Sequence, residues 1–411
     1  MDERSLPTAA AAHPFELSVF PNALRPVSDL LADLGHSAFW VGPGLLQLIE
    51  GRRPKAYSLK TDASRQQLTA LFPRAIPLAD PPGTVMIPSP VGPVDATPYR
   101  HGREIADELS HFDFTIHAIA YDARRSALLD PFEGLADLAA GRLRTVRSAV
   151  DRLAEDPLRA LRAIRLVATR GLKLDPALEL ALAEVGPLLE AIPRIGVREE
   201  LVATILAPGV GQAWPLLERS GISGSLAPNA HIGAGALIEQ LPCELELRLS
   251  AWLFGARSRR ALQRLRFSRL IVDRVEHLLQ LHPIETRLDP SRLPAVARLA
   301  RRESTRDLSA LIALRRAELR LAGRGSDGPL NSLDSLEQAL SELRTQKASE
   351  PRTHLAIDGK QIMNALGCGP GPRIGHALAY LSEKIAMNPA HNEPGKLREL
   401  LREWQTGEPE A

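Results

Sequence analysis

Two periodicities divide the chain. Between Ser37 and Tyr121 the short apolar runs SAFWV, AYSL, TVMI, VDAT and TIHAIAY are separated by Pro and Gly. Runs of this length bounded by turn residues predict strands, and with one or two helical stretches among them they predict a small mixed α/β domain. Beyond Leu138 the period changes, and no further strand is expected. DPLRALRAIRLVATRG and DPALELALAEVGPLLEAI place apolar residues at helical spacing, and helical patterns continue to the C-terminus. Each of the two opens on Asp-Pro, which supplies an N-cap acceptor and a ring preset for the first helical turn.

The pattern divides the chain into five parts. Residues 1–35, rich in Pro and Ala, predict a loose lead-in. Residues 36–146 form the α/β head, 147–210 a helical neck, 211–322 a helical body and 323–411 a helical tail. The polar stretches GRGSDGPLNS (323–332) and QKASEPRTH (346–354) read as gaps flanking one helix. No fixed-period repeat of the solenoid kind is present. The expected fold class is α+β: a small mixed head followed by an all-helical remainder.

Composition refines this picture slightly. Aromatic residues make up only 4% of the chain against 44% hydrophobic, so the core must be built from Leu, Ala, Val and Ile, which favours helices. The net charge is +2, and the positive charge is nearly all Arg, whose planar fork suits phosphates and base edges. Cys243 and Cys368 lie far apart and near no His cluster, which argues against disulfide scaffolds and zinc sites. No apolar run approaches the roughly 20 residues of a membrane span, and MDERSLPTAAAAHP lacks a signal pattern. A cytoplasmic protein without a membrane partner is expected.

LLDPFEGLADLAAGRLRTV (128–146) and AEDPLRALRAIRLVATRGLKL (154–174) resemble the head and neck of the class II tRNA nucleotidyltransferase and bacterial poly(A) polymerase family. The first carries Asp130, Pro131, Gly134, Asp137 and Leu138 of its Asp-Pro-x-x-Gly-x-x-Asp-Leu segment, and the second carries Glu155, Asp156 and Arg159 of its Glu-Asp-x-x-Arg motif. FWVGPGLLQLIEGRRPKAYSLKTDA lies along the family's first motif, HFDFTIHAIAYD along its Arg-Arg-Asp-Phe-Thr-Ile-Asn-Ala segment, and residues 358–392 along a tail segment associated with tRNA. The resemblance spans roughly residues 37–405.

That family joins an RNA 3′-hydroxyl to the α-phosphorus of CTP or ATP. Two carboxylates on alternate residues of one strand face the same side and hold two Mg²⁺ ions. Here the matching positions are Ala56 and Ser58. Pro43 replaces a glycine of the phosphate turn, Leu46 and Gln47 replace Arg-Asp, His111 and Phe112 replace two arginines, and His117 replaces an asparagine. The acids left near the site are Asp95 and Asp113, and Asp95 reads as a structural hydrogen-bonding group. Asp62 reads as the cap of the helix in ASRQQLTALF.

In the family, Asp and Arg of Glu-Asp-x-x-Arg read the incoming base, so the resemblance implies nucleotide binding by Asp113, Asp156, Arg159 and Arg162. Asp156, Arg159 and Arg162 share a face if all three are helical. Alternatively, Asp156 caps a helix and the arginines make ion pairs in the neck. RNA contacts are expected from Arg257, Arg259, Arg260, Arg264 and Arg266 in ARSRRALQRLRFSRL, and from Arg373 in GPGPRIG. Some relatives carry a His-Asp phosphohydrolase body; Phe254 and Gly255 stand at that position here, so no phosphohydrolase is expected. The expected protein binds RNA, tRNA foremost, has lost nucleotidyl transfer or nearly so, and holds no metal or cofactor. The alternative is an active enzyme that uses Mg²⁺, ATP and CTP to add C and A residues to RNA 3′ ends.

Overall fold

The computed structural model describes residues 13–14, 20–79, 81–185, 188–189, 192–284, 304–323, 327–349, 355–369 and 371–407. The chain forms two compact units, one of Met1–Arg287 with Ser304–Leu330, the other of Leu288–Glu303 with Asn331–Ala411. The architecture is a mixed α/β head followed by helices, as the two periodicities predict.

The head of the first unit is built on eight strands: β1 (His13–Pro14), β2 (Phe39–Val41), β3 (Tyr57–Thr61), β4 (Ile76–Pro77), β5 (Val85–Ile87), β6 (Val94–Pro98), β7 (Ala120–Asp122) and β8 (Ala127–Leu129). Their order across the sheet is β1-β8-β7-β2-β3-β6-β5-β4. Only β3 and β6 pair in parallel; the other neighbours are antiparallel. Period-two alternation sets the faces of β3, whose Tyr57, Leu59 and Thr61 are buried while Ser58 and Lys60 are half-buried. The inner face packs against α1 (Arg25–Asp33), α2 (Gly42–Ile49) and α3 (Arg65–Leu71), through Val27, Leu31, Leu45, Leu48 and Leu68. On the other face Val41 and Ala120 meet Ile105 and Leu109 of α4 (Ile105–Leu109).

Several expectations for this region need correction. Residues 20–35 are no loose lead-in, because Phe20, Leu24, Val27 and Leu31 bury an apolar stripe at helical spacing in the head core. The Thr115–His117 part of TIHAIAY is a 3₁₀ turn, and the strand begins only at Ala120. The helix α3 is capped by Ser64, which forms a capping box with Gln67, whereas Asp62 accepts hydrogen bonds from the Ser37 amide and hydroxyl. Strands also recur beyond Leu138, as β9 (Arg142–Leu143) pairs in parallel with β10 (Lys173–Leu174).

The helical part of the first unit contains α5 (Gly134–Ala139), α6 (Ala149–Glu155), α7 (Leu158–Arg170), α8 (Pro176–Ala181), α9 (Arg194–Ile205), α10 (Val210–Arg219), α11 (Ile222–Leu226), α12 (Ala234–Glu239), α13 (Leu245–Leu253), α14 (Ser258–Arg264), α15 (Arg269–Leu281) and the helix Thr305–Ala322. The α12 helix lies close on α10 because residue 235 is glycine; a Cβ there would sit 2.5 Å from that of Trp214. Trp214 in turn meets Trp252 edge-on at 5.7 Å.

In the second unit, helices Gly359–Leu366, Pro372–Met387 and Pro394–Gly407 enclose Ile362, Leu381, Ile385, Leu397 and Leu401. The helix Asp327–Ser349 begins within the stretch expected as the polar gap 323–332 and runs into the second such stretch, of which 350–354 lie outside the described residues. No helix among the described residues is long and apolar enough to cross a membrane.

Candidate functional site

The half-polar face of the sheet is where the family's metal acids would stand. Gly42, at φ 73°, turns the chain from β2 into α2, and Pro43 occupies the first helical turn, where a missing N–H costs the helix nothing but leaves one donor fewer for an anion. The start of α2 approaches the segment before β3 so closely that a Cβ on Gly44 would lie 2.7 Å from the Ala56 carbonyl oxygen. Ala56 is exposed in that bend. Ser58 sits in β3 directly opposite Asp95 of β6 on one side and Val41 of β2 on the other.

Two residues further along the same face, Lys60 donates to Glu108 of α4 at 2.8 Å. Glu108 is only 1% exposed and also accepts from the Arg100 and His101 amides. Burial opposes its ionisation, but Lys60 and the two amides outweigh burial and lower its pKa. Asp95 has no such support, and burial raises its pKa. The His101 and His111 rings stack at 3.8 Å, and burial together with His111 lowers the pKa of His101.

These side chains do not fit a two-Mg²⁺ site. One carboxylate, one hydroxyl and an alanine offer too few hard oxygen ligands. Among the described residues no three His, Cys, Asp or Glu side chains converge as a metal site would need.

Asp113, expected as a nucleotide contact, is committed elsewhere. It is buried, and accepts from the His117 ring at 2.9 Å, from Arg162 at 2.9 Å and from the Phe114 amide. Burial opposes its charge, yet the His117 and Arg162 contacts prevail and hold the carboxyl well below the usual range. Arg162 also faces Glu200 of α9 at 3.6 Å, so the head and neck residues of the motif are tied by ion pairs. Neither Lys60–Glu108 nor Asp113–Arg162 was expected from sequence, since the partners lie 48 and 49 residues apart.

The retained Asp-Pro-x-x-Gly-x-x-Asp segment is likewise a structural knot. Asp130 caps α5 by accepting from the Gly134 and Leu135 amides. Gly134 is required because a Cβ would collide with the Thr115 carbonyl. Asp137, fully buried, accepts from Thr115 at 2.6 Å, Arg142 at 2.6 Å and Arg144 at 2.9 Å.

The Glu-Asp-x-x-Arg residues do not present one helical face. Asp156 lies between α6 and α7 in an extended conformation and accepts from the Leu158 amide. Arg159 donates to the Arg152 carbonyl and to Glu155, both at 2.9 Å. The capping and ion-pair alternative describes these contacts. Arg152, which sequence reasoning did not single out, is 5% exposed and also pairs with Glu155.

Of the expected RNA contacts, Arg257, Arg260 and Arg264 line one cavity of about 410 Å³. Arg259 turns the other way, to Asp273 and Glu276 of α15. Arg266 adopts a positive φ of 61°, and its carbonyl accepts from Arg198. Arg373 is exposed in the first turn of the helix Pro372–Met387, in the second unit.

Comparison with known proteins agrees with this fold. Residues 89–144 match the poly A polymerase head domain. The chain is 27% identical to the CCA-adding enzyme of Geobacillus stearothermophilus over 93% of its own length and 97% of that protein's. It is 30% identical to the CC-adding tRNA nucleotidyltransferase of Shouchella clausii, over 54% of this chain and 58% of that one. Its fold is similar to that of the Bacillus stearothermophilus CCA-adding enzyme in complex with CTP (TM-score 0.65, 22% identity, 94% of this chain and 98% of that one). It is similar also to the Thermotoga maritima CCA-adding enzyme complexed with tRNA (TM-score 0.65, 18% identity, 93% and 95%). The head match, the relatives aligned over most of their length and the ordered motifs together support assignment of the chain to the class II tRNA nucleotidyltransferase family.

Proposed function

We propose that this protein binds RNA, tRNA foremost, through its helical portion, and that nucleotidyl transfer is lost or severely reduced. The observation that carries the second half is the row Val41–Ser58–Asp95 across the sheet, with Ala56 just outside it, where a two-metal site would need a pair of carboxylates on β3. Removing one well-placed stabilising group from an active site commonly costs roughly two to three orders of magnitude in rate, and here both acids are absent together.

The RNA half rests on the relatives. The Thermotoga maritima enzyme is complexed with tRNA, and its likeness extends over 93% of this chain, so it includes the helices as well as the head. The residues this chain still has in the head hold structure: Lys60 and Glu108 neutralise each other, and Asp113 anchors Arg162. The helical portion presents exposed arginines, Arg257 and Arg260 among them, that support phosphate contact.

The test is incorporation of labelled ATP and CTP into tRNA transcripts lacking their terminal nucleotides, with Mg²⁺ and then Mn²⁺, beside an active relative. No incorporation together with salt-sensitive tRNA retention is the expected result. Turnover that Asp95→Ala abolishes would overturn the inactive reading and favour an enzyme adding C and A residues from CTP and ATP.

A further inference from the structure

A cavity of about 420 Å³ lies where three helices of the first unit end. Phe254 and His282 are the C-terminal caps of α13 and α15, and Leu321 and Ala322 close the helix Thr305–Ala322. All four line the cavity. Helix C-termini present carbonyl oxygens and the negative end of the macrodipole, so three of them together favour a hydrogen-bond donor and disfavour an anion.

The polar wall adds a second preference for a donor. His282, whose side chain is 1% exposed, gives its Nε2–H to Glu318 at 2.9 Å, and Arg315 donates to the same carboxylate at 3.1 Å. Burial opposes ionisation of Glu318, but His282 and Arg315 outweigh it and lower its pKa. An ionised carboxylate fixes the ring proton on Nε2, so Nδ1 of the neutral ring is an acceptor. That Nδ1 is buried and has no hydrogen-bond partner among the described residues. The Arg315 guanidinium is committed to Glu318, so this wall does not draw a phosphate.

The rest of the lining is aromatic and apolar. Phe254 stands edge-on to His282 at 5.3 Å and to His231 at 6.4 Å, and Leu237, Pro283 and Leu321 lie around these rings. Phe254 and Leu321 stay exposed, whereas His282 is buried. A mostly apolar cavity of this size with a few fixed polar groups is the usual form of a small-molecule site.

We propose that this cavity binds a small, uncharged heteroaromatic molecule, its flat ring held among Phe254, His231 and His282 and its N–H donating to His282 Nδ1. The proposal depends neither on RNA binding nor on nucleotidyl transfer.

Full-length protein is titrated by calorimetry with indole and with benzofuran, an isostere that lacks the N–H. Indole should bind, and benzofuran about three- to tenfold more weakly, the worth of one hydrogen bond to a buried acceptor. Ala322→Trp, at an exposed position of the lining, fills the cavity without touching the His282–Glu318 pair and should abolish binding of both probes. His282→Gln keeps an amide N–H for Glu318 and removes Nδ1, so the two probes should then bind within about twofold of each other. If that variant does not fold, Ala322→Trp and the two probes on wild type still decide. Indole that fails to bind, or that binds Ala322→Trp as it binds wild type, would overturn the site. Equal affinity of the two probes for wild type would overturn the N–H donor and with it the class of ligand. Displacement of indole by a tRNA transcript would show that the cavity takes an RNA base, and would overturn the small-molecule assignment.

Discussion

Replacing Asp113 with Asn isolates the link between head and neck. The amide keeps the shape of the carboxylate but removes the charge that His117 and Arg162 share, both at 2.9 Å. Deleting one partner of a buried ion pair costs about 3–5 kcal/mol because the other charge stays buried without compensation. Arg162 keeps Glu200 at 3.6 Å, which places the expected loss near the lower end of that range. At about 2–4 °C per kcal/mol for a domain of this general size, a loss of ~3 kcal/mol lowers the melting temperature by roughly 6–12 °C.

The pH dependence has a definite sign. The folded carboxyl lies below its unfolded value of about 3.9, so its stabilisation is fully present above that value and is lost as pH falls through the folded one. The gap between wild type and Asp113→Asn should therefore be constant from about pH 6 to 8 and close below about pH 4. Calorimetric melts across that range measure it. A variant whose melt overlays the wild type at pH 7, or whose gap widens in acid, would refute the claim that this pair holds the motif in place.

Placing acids just before and within β3, with Ala56→Asp and Ser58→Asp, should produce Mg²⁺ binding detectable by calorimetry, since Asp95 already stands opposite position 58; silence would mean that Pro43 and its surroundings have also reshaped the pocket. Gly44→Ala should destabilise the head by about 1–3 kcal/mol in urea titrations, as the new Cβ would meet the Ala56 carbonyl at 2.7 Å. Asp137→Asn should cost about 3 kcal/mol or more, because Arg142 and Arg144 both lose an ionised acceptor that is fully buried, and an unchanged denaturation midpoint would show that solvent compensates them.

What the sequence revealed follows from the range of the forces involved. The strands β3 and β6 were legible because alternation is a local signal and their inner residues, Tyr57, Leu59, Val94 and Ala96, share one core. The Ser64 cap was legible as well, since Gln67 stands three residues on, but the nearby Asp62 drew attention away from it. Composition misled at the N-terminus, where Pro and Ala enrichment hid the spacing of Leu24, Val27 and Leu31. The 3₁₀ turn at Thr115 depends on Asp137 and Arg144, and β9 and β10 are two residues each, too short to carry a period. The separation of Arg259 from Arg260 is set by which helix lies on each side, a tertiary fact that local charge counting cannot supply.

The motif residues fall into two groups when sorted by what they touch. Asp113, Asp130 and Asp137 each satisfy several protein donors, and removing any of them would leave buried groups unpaired. Positions 43 and 56, by contrast, are exposed and position 58 is half-buried, so a proline, an alanine and a serine are accommodated there at no cost to packing. The fold therefore draws on the first group. Activity depends on the second. The proposed loss of transfer concerns the second group alone, and acids placed at positions 56 and 58 test it without disturbing Asp113, Asp130 and Asp137.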